Sequence, residues 1–274
     1  MPKPSLRSIR VHPLKSVQGY APTEAVVEPW GLAGDRRWMA VEPDGRYVTQ
    51  RHQPRLALVA AEPQPGGGLR LSVPGRRPLT VSVPDSAHTV PVEVWHDQVE
   101  AVPAAASASD WLSDWLDTEI RLVHLDDPAS RRPLDPEFAR PGETVSFADG
   151  FPLLLAALSS LDALNSLIEQ GDHADEGPLP MNRFRPNVVV DGTAPWAEDD
   201  WSRIAIGEVT FRVAKPCGRC VVTTTDQRTA ERGKEPLRTL ARHRRFGDQL
   251  VFGQNLVPEN TGTIRIGDPL EILE

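Results

Sequence analysis

The sequence predicts a mainly β protein of the α+β class, with a strand-rich first half followed by a half that mixes strands with a few short helices. Two observations indicate this class. Short apolar runs separated by Pro, Gly and Asp-Gly fill the first half of the 274-residue chain, a spacing typical of barrels and sandwiches. Segments with helical periodicity appear only later, between further strand-like runs. A hydrophobic fraction of 39% and a charged fraction of 25% are those of a globular protein.

The predicted strands of the first half follow one another closely, and turn-forming residues end each of them. Asp44-Gly45 predicts a hairpin turn, and residues 66–85 alternate apolar and polar side chains as a half-buried hairpin does. This spacing predicts an all-β barrel or sandwich. The predicted strand segments are LRSIRVHPLK, APTEAVVEP, RRWMAVEP, RYVTQR, RLALVAAEP, GGGLRLSVPGRRPLTVSVPD and VPVEVWHDQVEAV.

The pattern changes near residue 120, and we therefore predict two domains, residues 1–120 and 121–274. The second domain contains further strand-like runs, and residues 169–181 are polar enough to predict an exposed loop. Its predicted strand segments are NVVVDG, RIAIGEVTFRVAK, CVVTTTD and GTIRIGDPLEIL.

Three segments predict short helices. Residues 109–120 place two Trp-Leu pairs on one helical face, with Asp110 as the predicted N-cap. Residues 159–171 place four apolar side chains in the same way and end at Gly171, a predicted C′ residue. The segment EPLRTLARHRR predicts a helix with Pro236 in its first turn.

Charge and hydropathy exclude several function classes. A formal net charge of −8 argues against general nucleic-acid binding, which requires a basic surface. The N-terminus lacks the apolar segment of a secretory signal, and the apolar run at residues 151–158 is too short to span a bilayer. We therefore expect a cytoplasmic protein with neither a nucleic-acid nor a membrane partner, in a compartment where thiols stay reduced.

The only two cysteines of the sequence, Cys217 and Cys220, lie three residues apart with Arg219 between them. Four interpretations are open. A thioredoxin-like redox pair needs a CxxC that opens a helix, whereas the following VVTTT predicts a strand. A zinc site needs about four ligands, and no histidine pair has zinc-finger spacing. Two inert, half-buried thiols are the third interpretation. The fourth is a single thiolate ligand to a soft redox metal, which the basic flank favours because positive charge stabilises a thiolate.

Seven segments, taken together in their order along the chain, resemble the MOSC family, named for the C-terminal domain of molybdenum cofactor sulfurase. Within that family the sequence is similar to the amidoxime-reducing branch. The segments are HPLKS (His12–Ser16), GDRRW (Gly34–Trp38), RPGETVSFADGFPLLL (Arg140–Leu155), FRPNVVV (Phe184–Val190), CGRCVVTTTDQRT, KEPLRTL and FGQNLVPENTGTIRIGDPLEIL.

The resemblance implies an N-terminal β-barrel-like domain packed on a β-rich MOSC domain, and a molybdenum cofactor whose metal is held by one pterin dithiolene. The second cysteine of the family's C-x-x-C motif is the protein ligand to molybdenum, which implies Cys220 here and leaves Cys217 to support packing or the pocket wall. The cofactor ends in a phosphate, which charge-assisted donors bind well. The implied cofactor-binding positions are Lys15, Ser16, Arg36, Arg185, Asn187 and Arg219.

The implied activity is reduction of N-hydroxylated or N-oxygenated small molecules, with Cys220 and Asp226 as catalytic candidates. We expect a separate electron donor, a ferredoxin, a flavodoxin or a flavin reductase. No dinucleotide-binding G-x-G-x-x-G follows a predicted strand, and two cysteines are too few for an iron–sulfur cluster. An alternative in another class is a sulfur carrier that uses Cys220 as a persulfide.

The sequence also departs from the family pattern. Val17 stands where relatives often have cysteine, and Ala156 and Ala157 stand where many relatives have Ser or Thr. The alanines put one polar cofactor contact in doubt. The resemblance also implies a pyridoxal-phosphate-binding label at the level of the family, with no residue attached to it.

Overall fold

A computed structural model describes residues 3–85 and 88–274. In these residues the chain forms 18 strands, four α-helices and six short 3-10 helices. The predicted mainly β fold with a few short helices is confirmed.

The strands of the first half are β1 (Ser5–Ile9), β2 (Glu24–Glu28), β3 (Gly31–Leu32), β4 (Trp38–Val41), β5 (Ala60–Pro63), β6 (Leu69–Ser72), β7 (Leu79–Val81), β8 (Val90–Val94) and β9 (Asp97–Pro103). Those of the second half are β10 (Arg121–His124), β11 (Leu153–Ala157), β12 (Val188–Asp191), β13 (Arg203–Ile206), β14 (Val209–Gly218), β15 (Arg245–Phe246), β16 (Gln249–Pro258), β17 (Gly262–Arg265) and β18 (Leu270–Ile272). The helices are α1 (Ala106–Leu116), α2 (Pro128–Arg131), α3 (Leu158–Glu169) and α4 (Leu237–His243).

The largest sheet has eight strands in the order β1-β12-β11-β16-β14-β13-β18, with β15 paired to β16. Pairing is antiparallel except between β11 and β12. The central strands are buried because their sequences are continuously apolar, as in the VVV run of β12. The end of β1 lies beside the start of β12, since Ile9 pairs with Val188, and β11 and β16 separate these strands from β14.

Three smaller sheets complete the fold: β4-β10-β9-β8, β5-β6-β7 and β17-β2-β3. All four residues of β4 are buried. The backbone of β4 binds the preceding HPLKS segment, since Lys15 N donates to Trp38 O at 2.9 Å and Trp38 N donates to Pro13 O at 3.0 Å. These two hydrogen bonds hold the segment that carries Lys15 and Ser16 against the buried strand β4.

The two predicted domains share sheets. Strand β1 of the first half pairs with β12, and β2 pairs with β17 near the C-terminus. The boundary near residue 120 stays a prediction.

The predicted helices are present, with one error at a helix start. Helix α1 begins at Ala106, so Asp110 lies inside it and caps nothing. Four preceding residues, all of them alanine or serine, extend the helix because small side chains are tolerated there. Helix α3 ends with Gln170 at its C-cap and Gly171 directly after it, as predicted.

Two predicted strands are absent from the part of the chain that the structure describes. VVTTT forms a 3-10 helix at Val221–Thr224, because Thr223 and Thr224 donate their hydroxyls to backbone carbonyls three residues earlier. RYVTQR forms two isolated bridges, Tyr47 with Val41 and Arg46 with Glu93, and no strand. The strand predicted for RLALVAAEP is present only in the second half of that segment, as β5, because a 3-10 helix at Pro54–Leu58 occupies the first half.

In the described residues, no helix has both the length and the apolar character needed to cross a membrane.

Candidate active site

A cavity of about 590 Å³ lies where the ends of β14 and β16 meet the loops that carry Lys15 and Arg36. The segments that form its wall are distant in sequence and adjacent only because the large sheet makes them so. All six predicted cofactor-binding residues and both cysteines line this cavity: Lys15, Ser16, Arg36, Arg185, Asn187, Arg219, Cys217 and Cys220. The structure therefore brings these predicted residues together.

The end of strand β14 and the residues directly after it place the two cysteines at the cavity. Cys217 lies at the end of the strand, and Cys220 directly precedes the 3-10 helix Val221–Thr224. Arg219 N donates to Leu250 O at 2.7 Å, and Thr223 N donates to Cys220 O at 3.0 Å, so the backbone around Cys220 is fixed on both sides. Both thiols are free and partly exposed.

Of the two predicted basic neighbours of the thiols, Arg219 contacts a thiol and Lys215 contacts an aromatic ring. Arg219 Nη1 contacts the Sγ of Cys217 at 2.9 Å, not that of Cys220. Lys215 Nζ lies over the Phe138 ring, 4.2 Å from its centroid. Arg51 lines the same cavity as Cys220. Burial acts to lower the pKa of Arg51, but Asp149 and Cys220 outweigh it and raise that pKa.

The surroundings of the thiols bear on two of the four interpretations. Within residues 3–85 and 88–274, no three His, Cys, Asp or Glu side chains cluster as ligands of a zinc ion would. The CxxC leaves a strand and enters one short 3-10 turn, which differs from the helix opening of a thioredoxin-like pair.

Lys15 is buried against one side of the cavity. Its Nζ donates to Phe147 O at 2.7 Å and to Asp149 Oδ1 at 2.6 Å. Asp149 also accepts from Arg51 Nη2 at 3.3 Å. Burial lowers the pKa of Lys15 to about 8, although Asp149 acts to raise it. Burial alone would raise the pKa of Asp149, but Lys15 and Arg51 outweigh it and hold that pKa below its ordinary value.

Arg36, Arg185 and Asn187 form a second basic group. Arg36 Nη1 donates to Asp35 and, at 3.1 Å, to Asn187 Oδ1. Arg185 Nη1 donates to Val17 O at 2.7 Å, while its Nη2 is buried without a partner. Burial, reinforced by the charge of Arg36, lowers the pKa of Arg185 to about 9. The cavity wall thus holds cations that the protein itself neutralises only in part.

Backbone conformation marks the same wall. Ser16, Arg36 and Arg185 all have positive φ, at 66°, 48° and 56°, and so does Trp95 at 59°. For residues other than glycine this region is strained and costs of order 1–3 kcal/mol per residue. Such residues concentrate at functional sites because the surrounding structure holds a side chain where it is needed.

Asp226 does not line the cavity. Its Oδ1 accepts from the backbone N–H groups of Arg228 and Thr229, and its Oδ2 accepts from Arg183 at 3.0 Å. This carboxylate fixes a turn and holds Arg183, which itself lines the cavity. The carboxylate is thus used in a turn and an ion pair, and the catalytic role of Asp226 stays a prediction.

Comparison with protein families gives two matches that together cover most of the chain. Residues 3–119 match the MOSC N-terminal beta barrel domain, and residues 142–271 match the MOSC domain. The chain belongs to the MOSC family.

Curated relatives of this MOSC chain align with nearly its whole length. It is 31% identical to mitochondrial amidoxime-reducing component 1 of Homo sapiens, over 96% of this chain and 81% of that protein. The protein of the same name in Mus musculus is 32% identical, over 96% and 80%. Molybdenum cofactor sulfurase of Danio rerio is 30% identical over 93% of this chain, which corresponds to 32% of that larger protein.

The donor set of the MOSC chain fits a phosphate-bearing cofactor with a soft metal. Buried guanidinium atoms without partners, Nη2 of Arg185 and Nε of Arg219, are donors that an anion can satisfy. Cys220 supplies a sulfur ligand at the same wall. The charged side chains that line the cavity are the cations Lys15, Arg36, Arg51, Arg183, Arg185, Lys215 and Arg219 and the carboxylates Asp149 and Asp248.

The lining residues that sequence reasoning missed include Arg51, Trp95 and Asp149. Asp149 lies inside the family segment Arg140–Leu155, so that motif could have indicated a carboxylate at the cavity. Arg51 and Trp95 were placed in ordinary strand-like runs and carried no motif of their own. Ala156 and Ala157 are fully buried and lie off the cavity, so their substitution removes no contact from its wall.

The lowered pKa of Lys15 predicts a pH-dependent anion site. Lys15 is charged below about pH 8 and loses its charge above it, so anion affinity falls as pH rises through 8. The same lowered pKa has the opposite effect on the stability of the protein without a bound anion. Between pH 8 and the ordinary lysine pKa, Lys15 is neutral in the folded protein and charged in the unfolded chain, so the free energy of unfolding rises with pH. We expect the affinity of cofactor-free protein for sulfate, a dianion throughout this range, to fall about tenfold or more between pH 7 and 9.5.

Calorimetric titration with sulfate at each pH measures this change. Lys15→Arg is expected to retain the affinity to higher pH, and Lys234→Arg, at an exposed position outside the cavity, serves as the matched control. A sulfate affinity that stays constant to pH 9.5 in the unmodified protein would contradict the assignment.

Proposed function

We propose that this MOSC chain is a molybdenum-cofactor-dependent reductase of N-hydroxylated and N-oxygenated small molecules. The observation that carries the proposal is the convergence of Cys220 with the strained cations Arg36 and Arg185 on one cavity. The similarity to amidoxime-reducing components over nearly the whole chain supports it. The net reaction consumes two electrons and two protons, cleaves the N–O bond, and yields an amine or amidine and water.

The residues of the chain have separate roles in this proposal. When bound, the molybdenum cofactor supplies the two-electron chemistry. Cys220 holds the metal as the protein thiolate ligand. The side chains of Ser16, Asn187 and the basic residues Lys15, Arg36, Arg185 and Arg219 hold the pterin and its phosphate. Their donors are oriented by the sheet before the cofactor arrives, so little reorganisation is needed.

Asp149 orients the cations on the other side of the cavity. It accepts from Lys15 at 2.6 Å and from Arg51 at 3.3 Å, and its carboxylate stays ionised because both cations favour that form. An ionised Asp149 cannot donate a proton, so we propose that it positions Arg51 beside Cys220. Protons for the reaction then come from water or from a cation of the wall.

The electron donor is proposed to be a separate protein, a ferredoxin, a flavodoxin or a flavin reductase. The sequence carries no dinucleotide-binding G-x-G-x-x-G after a strand. Transient redox contacts use small interfaces that charges steer. We further propose a cytoplasmic location.

The two thiols are expected to differ in their effect on metal content. Cys220→Ser should lose the bound molybdenum and nearly all reductase activity, because a hydroxyl is a poor ligand for a soft metal. Cys217→Ser should retain both, since only one thiolate is needed. Elemental analysis of protein from a host that makes molybdenum cofactor measures the metal directly.

The cysteine pair also distinguishes the alternatives. Equal metal loss in both variants would support a shared dithiol site and contradict a single ligand. Labile sulfur on Cys220 in protein free of molybdenum would support a persulfide carrier instead of a reductase.

The electron supply gives a second expectation. Molybdenum-loaded protein should reduce benzamidoxime with reduced viologen as an artificial donor, and should be inactive with NADH or NADPH alone, because nothing in its sequence indicates a nicotinamide site. A steady-state assay of the purified chain measures both rates. Turnover on NADPH in a sample free of reductase contaminants would show that the chain has a second cofactor site.

A further inference from the structure

Trp95 occupies an unusual place in the wall of the cavity. With His96 it forms the two-residue turn between β8 and β9, where Val94 pairs with Asp97. Of these two turn residues, only Trp95 has a positive φ, 59°. Glycine is the usual residue at the first position of such a turn, and a bulky residue there is a genuine outlier. The indole is also 40% exposed, so burial in the core does not account for it.

The contacts of Trp95 hold the indole in place from one side. The Arg51 guanidinium lies over the ring, 4.5 Å from its centroid. The Tyr47 ring lies 5.9 Å away at an interplanar angle of 44°. Arg51 thus lies over the ring, and Trp95 is one of the residues that line the cavity.

Arg51 connects this indole to the reaction centre. Its Nη2 donates to Asp149, which also accepts from Lys15 of the cofactor-binding wall. Arg51, Trp95 and Cys220 all line the same cavity. The side chain of Trp95 therefore belongs to the wall that also holds the proposed metal ligand.

We propose that Trp95, supported by Arg51, forms an aromatic substrate subsite that stacks on planar, conjugated N-hydroxylated substrates and determines their preference over aliphatic ones. This inference rests on the proposed reductase function. An exposed indole offers a π-face for stacking. A flat aromatic ring attached to an N–O group gains this contact, whereas a methyl group in the same place gains little. Strain at the turn is then explained, because the left-handed backbone holds the ring at the cavity.

The test compares benzamidoxime with acetamidoxime, which differ in a phenyl and a methyl group, using reduced viologen as donor. In Trp95→Leu and Trp95→Gly, KM for benzamidoxime is expected to rise about five- to tenfold, the range of one aromatic stacking contact. KM for acetamidoxime and both kcat values should stay within about twofold. Trp95→Phe should retain most of the preference.

Trp115→Leu is the matched control. Arg55 lies over the Trp115 ring, 4.4 Å from its centroid, in the same kind of contact, and Trp115 is not part of the cavity wall. The Trp115→Leu variant should prefer benzamidoxime over acetamidoxime to the same degree as the unmodified protein. Trp95→Gly should keep its melting temperature, since glycine accepts the turn conformation, so a lost preference in that variant cannot be attributed to unfolding.

Direct binding separates this inference from the proposed function. Calorimetric titration of oxidised, molybdenum-loaded protein with benzamidoxime needs no turnover, and Trp95→Leu should bind about five- to tenfold more weakly. If the loaded, unmodified protein reduces neither compound, the proposed function fails, and the titration still decides the subsite. Equal benzamidoxime affinity in both proteins, or equal rises in KM for both substrates, would overturn the role of Trp95.

Discussion

Much of this structure depends on one constraint: several cations must stay close together, partly dehydrated, at one cavity. Lys15 and Arg185 are held where burial lowers the pKa of each below its ordinary value, and like charges so placed repel one another. Few carboxylates lie among these cations, and backbone carbonyls accept hydrogen bonds from Lys15 and Arg185. Ser16, Arg36 and Arg185 also have left-handed backbone conformations. Nη2 of Arg185 and Nε of Arg219 are buried without partners, and a bound anion would satisfy them.

The same constraint divides the cavity into two sides with different chemistry. One side offers hydrogen-bond donors for a phosphate and a pterin. The other presents Arg51 and Trp95, with Asp149 as the link between the sides. Cys220 lies in the same cavity, on a backbone held by Leu250 and Thr223. Trp95, Arg51 and Cys220 therefore lie on the wall of one cavity.

Part of this organisation was predictable from the sequence and part was not. Apolar alternation and turn residues predicted the mainly β fold, and short motifs in family order predicted the residues that converge on the cavity. The strand predicted for VVTTT was wrong, because threonine hydroxyls bind local carbonyls and β-propensity does not account for that contact. Arg51 and Trp95 lacked any motif, and their roles depend on tertiary neighbours. Asp226 had a motif position but lies off the cavity, since a turn uses its carboxylate.

The most direct test of this account is a crystal structure of protein loaded in a host that makes molybdenum cofactor, with anomalous data collected at the molybdenum edge. The account predicts one molybdenum peak in the cavity at bonding distance from Cys220 Sγ, with the cofactor phosphate between Arg36 and Arg185. A peak bound to Cys217, or shared equally by both thiols, would contradict the single-ligand assignment. A molybdenum peak outside the cavity would contradict the site as a whole.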